Sequence, residues 1–291
     1  MINVAVDGID GDARRVTDAM VVQWIIADHS AGLRDTKHLL TLILRSATYR
    51  QSSVNDRRYD AGAPEKGAPE KGAPDKGDPD NRWLSRAPRF RLQAEEIRDN
   101  ALRISGLLHL SPGGPGFFPF QPPDYFKGKH VLWEWNLSQG ADRYRRGMYT
   151  FWRRTTPYPA FVMFDAPDRC ESVASRSRTN TPLQALVTMN EPQFVAAARA
   201  FGRRILEAGG SSAEDRLVYA FRSCVARWPE DTELAVMRKV FDERLEFYRQ
   251  HPEAACSLAE VMAENPDAVQ LAAWTFLGNT LLNLDETITR E

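Results

Sequence analysis

Cysteine is scarce in this chain of 291 residues. Cys170, Cys224 and Cys256 are far apart and odd in number, with no CxxC zinc pattern and no CxxCH haem-attachment site, so no cofactor is expected in this chain. Cys224 and Cys256 have apolar neighbours in helix-like sequence and read as buried free thiols. Charge of one sign is lacking too: 38 Lys and Arg face 39 Asp and Glu, a net −1. Nothing therefore draws the chain globally toward nucleic acid or an anionic membrane, and any electrostatic function must rest on local clustering. No long hydrophobic run is present. The most apolar segment, Leu271 to Leu284, is 14 residues with Asn279 and Asn283 inside it, too short for a membrane span and readable as a buried core helix. Histidine pairs are missing: His29, His38, His109, His130 and His251 have no second histidine at i+2 or i+4, which leaves a metallohydrolase unsupported and no metal site expected. There is no Walker loop, and GGPG at Gly113 to Gly116 lies in a proline-rich loop rather than between strand and helix, so nucleotide chemistry drops out. Met1 to Met20 carries Asp7, Asp10 and Asp12 without a sustained apolar run and does not read as a signal peptide.

What is present fits a globular protein, with 43% hydrophobic and 26% charged residues, enough chain for one large or two small domains. Residues 61–81 read AGAPEKGAPEKGAPDKGDPDN, a low-complexity linker that offers nothing to bury and predicts an extended insertion on the surface. It separates an N-terminal helical segment, residues 1–60, with helices expected at Val16 to Ile26 and Lys37 to Ala47, from a main helical domain at 82–291. In that domain Ile97, Ala101, Ile104 and Leu108 predict a helix over Ala94 to Leu108. SPGGPGFFPFQPPDYF, with five prolines and three glycines, cannot be regular. Met148 to Arg154 and Ala160 to Phe164 read as short strands. Beyond Pro182, helices are expected at 182–189, 191–208, 213–227, 231–250 and 266–284, the fourth with a stripe of Leu234, Met237, Phe241, Leu245 and Tyr248. The fold class is mainly α, a multi-helix domain with an irregular, aromatic-rich middle containing a small β element.

The stretch RSRTNTPLQALVTMNEPQFVAAARAF, Arg176 to Phe201, joins dense polar loop chemistry to two helix starts. Thr181 followed by Pro182 reads as an N-cap with proline at the first helical position, and Asn190, Glu191 and Pro192 repeat the arrangement. Phe194, Ala198, Phe201 and Ile205 then form one apolar face closed by Gly209 and Gly210, with Arg199, Arg203 and Arg204 off it. FDAPDR (Phe164 to Arg169), RSRTNTPLQAL, NEPQFVAAARA and LLNLDETITRE (Leu281 to Glu291), with LILRSATYRQSS, DPDNRWLSRAPRFRLQAEEIRD and YRRGMYTFWRRT upstream, resemble the domain-of-unknown-function 1553 family over roughly residues 20 to 291. That resemblance implies context rather than activity: large exported or cell-envelope proteins of planctomycetes and related bacteria, with a companion domain of unknown function and often a c-type cytochrome domain as partners. Two features depart from the family pattern. The segment before residue 20 does not align, so a truncated or separately encoded piece is the expectation, and the order Arg169-Cys170-Glu171 shifts the cysteine, which puts any role of Cys170 in doubt.

Chemistry is expected in the middle. Residues 117 to 164 hold 14 of the 29 aromatics, among them Trp133, Trp135 and Trp152, and Arg143, Arg145, Arg146, Arg153, Arg154, Arg169, Arg176 and Arg178 crowd in after them. Aromatic faces stack on sugar rings and guanidinium groups hold sulfate or carboxylate bidentately, so the set suits an anionic glycan, while a core of packed aromatics with solvated arginines is the plainer alternative. Asp165, Asp168 and Glu171 can act as acid and base on a glycosidic bond or hold a divalent cation. Equally, Asp168 beside Arg169, Arg176 and Arg178 can form an ion-pair network pinning a turn, with Asn180, Gln184 and Asn190 satisfying loop backbone. Three functions follow: a non-catalytic binding or docking module for a partner domain or anionic polysaccharide, a glycan-active hydrolase using Asp165 and Asp168, and a redox accessory docking a cytochrome.

Overall fold

The computed structural model describes residues 36–47, 49–53, 86–122, 125, 135–173, 175–262 and 265–290. The helix expected at Val16 to Ile26, the 61–81 repeat and Trp133 lie outside them. The chain divides into two compact units, Met1–Phe90 with Glu291, and Arg91–Arg290. In the first, helix α1 (Thr36–Arg45) occupies the position expected of the second N-terminal helix.

The second unit is helical at both ends. Helix α2 (Ala94–Ser105) starts where the Gln93 N–H donates to Glu96 at 2.9 Å, and stops three residues short of the expected end because Gly106 turns left-handed at φ 82°. Two 3-10 turns (Gly140–Tyr144 and Gly147–Tyr149) and helix α3 (Pro159–Met163) interrupt the irregular middle. The two short strands expected there do not form. Met148 and Tyr149 end a 3-10 turn, and only an isolated bridge, Phe117 to Thr150, pairs that segment. Ala160 to Met163 coil into α3 because Pro159 at the first position presets a helical φ, and a five-residue apolar run has no period of its own to oppose it. The small β element lies elsewhere, in the paired two-residue strands β1 (Phe90–Arg91) and β2 (Thr289–Arg290).

Seven helical stretches follow: α4 (Pro182–Asn190), α5 (Pro192–Ala208), α6 (Ala213–Val225), α7 (Asp231–Gln250), α8 (Pro252–Ala259), α9 (Ala268–Leu282) and α10 (Asp285–Ile288). Of these α8 and α10 were not legible, since eight residues beginning with proline and a single four-residue turn carry little periodicity. The core centres on α5 crossing α9. Ala198, Phe201 and Ile205 are fully buried as their spacing required, with Phe194 beside them. The axes approach closely because Gly202 faces Thr275 and Gly278 faces Phe201; a Cβ on Gly202 would stand 2.9 Å from the Thr275 backbone nitrogen. Trp274 packs on Phe241 of α7 at 4.1 Å between ring centres, and Met237, Phe241 and Tyr248 of the predicted stripe are buried while Leu234 and Leu245 pack at its margin. Arg199 and Arg204, off the apolar face of α5, cap neighbours: Arg199 donates to Leu258 O at 2.6 Å and Arg204 to Ile104 O at 2.8 Å, covering helix-end carbonyls that lack intrahelical partners. Cys224 and Cys256 are free and half-buried, and burial pushes the Cys224 thiol far above its ordinary pKa. No helix among the described residues is long and apolar enough to cross a membrane.

Candidate functional site

Asp165 follows the C-cap of α3, Phe164, and adopts φ 58°, a left-handed conformation that a β-carbon makes costly and that aspartate tolerates better than most residues. Its carboxylate is consumed internally. Oδ2 accepts the Arg91 guanidinium at 2.6 Å and the Thr179 N–H at 2.7 Å, and the Thr179 hydroxyl bonds both oxygens at 3.0 Å. Arg91 also donates to Gln184 Oε1 at 2.6 Å, and the Gln184 amide donates to Met163 O and to the Thr179 hydroxyl. Burial pushes the Asp165 carboxyl pKa up, but the Thr179 amide, the Arg91 guanidinium and the Thr179 hydroxyl outweigh it and hold the group below its usual range. The loop is thus pinned by an ion-pair network, with Asp165 rather than Asp168 at its centre. Its cation is Arg91, which the sequence reading passed over; 74 positions separate it from Asp165.

The other expected residues are placed differently. Asp168 is exposed and accepts the Cys170 N–H at 2.9 Å, as in an ordinary turn, while its carbonyl accepts the Trp152 indole N–H at 3.1 Å. Arg169 lies over the Trp152 ring at 4.7 Å and Arg176 pairs with Glu95 of α2 at 2.7 Å. Those arginines do not gather round Asp168. Glu171, Arg178, Asn180, Arg154 and Cys170 are exposed, and Arg153 is half-buried with its Nε on the Thr155 hydroxyl at 3.2 Å. Trp135 donates to Pro119 O at 2.9 Å and sits edge-on to Phe118 and Phe151, so it is structural packing of the irregular middle. Arg145, buried over the Tyr149 ring, donates to the carbonyls of Ser111, Gly113 and Pro115 and staples the proline-glycine loop.

A second polar cluster escaped the sequence reading. Arg98 is 1% exposed inside α2; it donates to Gln193 Oε1 at 2.8 Å, Arg145 O at 2.6 Å and Arg143 O at 2.9 Å, and stacks over Phe117 at 4.6 Å. Burial lowers its pKa. Glu191 caps α5 by accepting the Gln193 and Phe194 amides and takes the Tyr158 hydroxyl at 2.7 Å. Burial raises the pKa of Glu191 and, with Glu191's charge, that of Tyr158. The Asn-Glu-Pro signal therefore marked a helix start correctly, and the same glutamate serves as a buried anchor. No group of three His, Cys, Asp or Glu that could hold a metal ion occurs among the described residues.

Apart from Val187, which packs on the core, helix α4 turns its larger apolar side chains outward. Its polar Gln184 and Thr188 are buried, Thr188 bonding Asn283 and the Ala185 carbonyl, whereas Leu183 and Leu186 are 57% and 54% exposed and Met189 lies open beside them. Val162 and Met163 of α3 are exposed as well, and the Gln184 amide on Met163 O ties the two helices together. Exposed Arg169 and Arg178 belong to the loop that joins them.

No curated protein and no solved structure matches the chain. A family model does match, over residues 11–241, so the match begins ahead of residue 20 and ends before the terminal LLNLDETITRE. The chain belongs to the PSD1 family of proteins of unknown function (DUF1553).

Proposed function

We propose that the chain is a non-catalytic docking module that binds a protein partner through the outer face of α3 and α4, an apolar patch edged by Arg169 and Arg178. The observation that carries this reading is the inverted burial of α4: a helix that keeps glutamine and threonine inside while presenting Leu183, Leu186 and Met189 to water leaves apolar area whose burial would favour association. The flanking guanidinium groups favour a partner whose contact surface is apolar with acidic residues at its edge. Among the described residues, Trp135 is packed edge-on to Phe118 and Phe151, and Trp152 lies against the Arg169 guanidinium and the Phe161 ring, which favours a packing role for both over an open stacking platform for an anionic glycan. Asp165, bonded to Arg91 and Thr179, is poorly disposed to exchange a proton with a substrate.

The test is a photo-crosslinking residue at Leu186, with the same residue at exposed Glu243 of α7 as control, in cells that make the protein naturally. A discrete protein adduct from position 186 alone, weakened by Arg169→Glu with Arg178→Glu, is the expected result; the companion and cytochrome domains implied by the family resemblance are the first identities to check. No adduct above the control sinks the docking reading. Retention on dextran sulfate without an adduct would move it to anionic polysaccharide, and release of reducing ends that Asp165→Asn abolishes would restore the hydrolase.

A further inference from the structure

The face of α6 opposite buried Leu217, Ala220 and Phe221 carries a groove of about 600 Å³, separate from the α3–α4 face, with Glu214 and Asp215 at one end, Tyr219 and Ser223 along it, and Arg222 and Trp228 at the other. Trp228 is 66% exposed, yet the chain holds it firmly. Ala226 closes α6 in the left-handed region at φ 58°, a conformation that costs a residue with a β-carbon about 1 kcal/mol. Arg227 then grips Glu233 of α7 and Glu286 of α10 with paired bonds of 2.7 to 2.9 Å, and donates to the Trp228 carbonyl at 3.2 Å. Pro229 follows and α7 begins. An exposed indole set on so rigid a corner loses little freedom when something stacks on it.

The Arg222 guanidinium lies 3.9 Å over one face of the Trp228 ring. It has no carboxylate partner among the described residues, and neither the Tyr219 hydroxyl nor the Trp228 indole N–H has a hydrogen bond there. With Arg222 on one face and two thirds of the residue accessible, the other face of the indole is open.

We propose that this groove binds a neutral oligosaccharide, with one pyranose ring stacked on the open face of Trp228 and the hydroxyls of neighbouring units bonded along the groove by Arg222, Tyr219, Glu214 and Asp215. A flat apolar surface beside groups that only donate and groups that only accept matches a ring whose C–H face is apolar and whose rim both donates and accepts. Two carboxylates against one guanidinium disfavour sulfated or uronate chains. A purely apolar peptide would bury those carboxylates unpaired, and a cation on the open face would stand across the ring from the Arg222 guanidinium, which repels it.

The experiment is native gel electrophoresis through soluble xylan, mixed-linkage glucan, galactomannan or carrageenan, followed by a printed array of neutral oligosaccharides. Retardation by at least one neutral polymer is expected, with apparent affinity falling roughly tenfold or more in Trp228→Ala, recovering in Trp228→Tyr and holding in Glu243→Ala. Trp228→Ala should melt as the unaltered chain does, because the ring is exposed. No retardation by any neutral glycan, retardation by carrageenan alone, or binding indifferent to Trp228→Ala would each overturn the proposal. A protein adduct at Leu186 is independent of all three, so the docking reading stands or falls separately.

Discussion

Replacing Asp165 tests whether the loop between α3 and α4 is held by one ion-pair network or merely decorated by it. Asp165→Ala removes the acceptor for Arg91 Nη2 and for both donors of Thr179. Only 9% of the Arg91 side chain and 16% of the Asp165 side chain reach solvent, so water compensates little. Hydrogen bonds to a charged group contribute about 1.5–3 kcal/mol each at best, and they share one acceptor, which brings the expected loss to about 3 kcal/mol. Alanine adds left-handed strain of about 1 kcal/mol, which asparagine and glycine largely escape. The order of stability should be wild type, then Asp165→Asn at about 2 kcal/mol lower, then Asp165→Gly, then Asp165→Ala at about 4 kcal/mol lower. Urea unfolding followed by far-ultraviolet circular dichroism measures all four. The donors hold the Asp165 carboxyl below its ordinary range, so its contribution is complete above the unfolded pKa of about 4 and is lost as pH falls through the folded value. The gap between wild type and Asp165→Asn should stay level from about pH 7 to 5 and close in more acidic solution. A loss below about 1 kcal/mol for Asp165→Ala, or a gap that does not shrink in acid, would refute the network.

Glu191 should behave oppositely. Burial raises its pKa, so ionisation costs the folded state and its contribution declines as pH rises from the ordinary carboxylate value through the folded one; Glu191→Gln should flatten that decline, while Tyr158→Phe should cost about 1–2 kcal/mol by leaving the carboxylate short of a donor, both read from urea midpoints across pH. Gly202→Val should lower stability by about 3 kcal/mol or prevent folding, because even its first carbon meets the Thr275 backbone at 2.9 Å; thermal melting checks this, with Gly202→Ala intermediate. Arg227→Ala should cost only about 1 kcal/mol, since its side chain and both partners are about one third exposed, yet broaden the Trp228 side-chain resonance in NMR spectra as the corner loosens.

Much of the helical framework was legible because its determinants act within a turn or two. Thr181 with Pro182, Glu191 with Pro192, and the spacing of Phe194, Ala198, Phe201 and Ile205 each specify a start or a buried face without reference to distant residues. Ala160 to Phe164 misled because its five apolar residues suit either state, and the proline before them decides it. The candidate site was legible only in outline. Asp165 and Gln184 were picked out, but their partner Arg91 was not, and Arg98 with Gln193, 95 positions apart, gave no local signal. Trp228 was overlooked because a lone tryptophan between helices carries no pattern.

The sequence by itself determined the family, through motifs such as FDAPDR and NEPQFVAAARA, and it determined the mainly α class and the apolar face of α5, since caps and periodicity act locally. Only the tertiary structure decided which arginine reaches Asp165, that α4 shows its leucines to solvent, and that Trp228 stands exposed beside Arg222. Those outcomes depend on which distant segments meet: an ion pair forms where packing brings two charges together in a site shielded from water, and no count along the chain encodes that encounter.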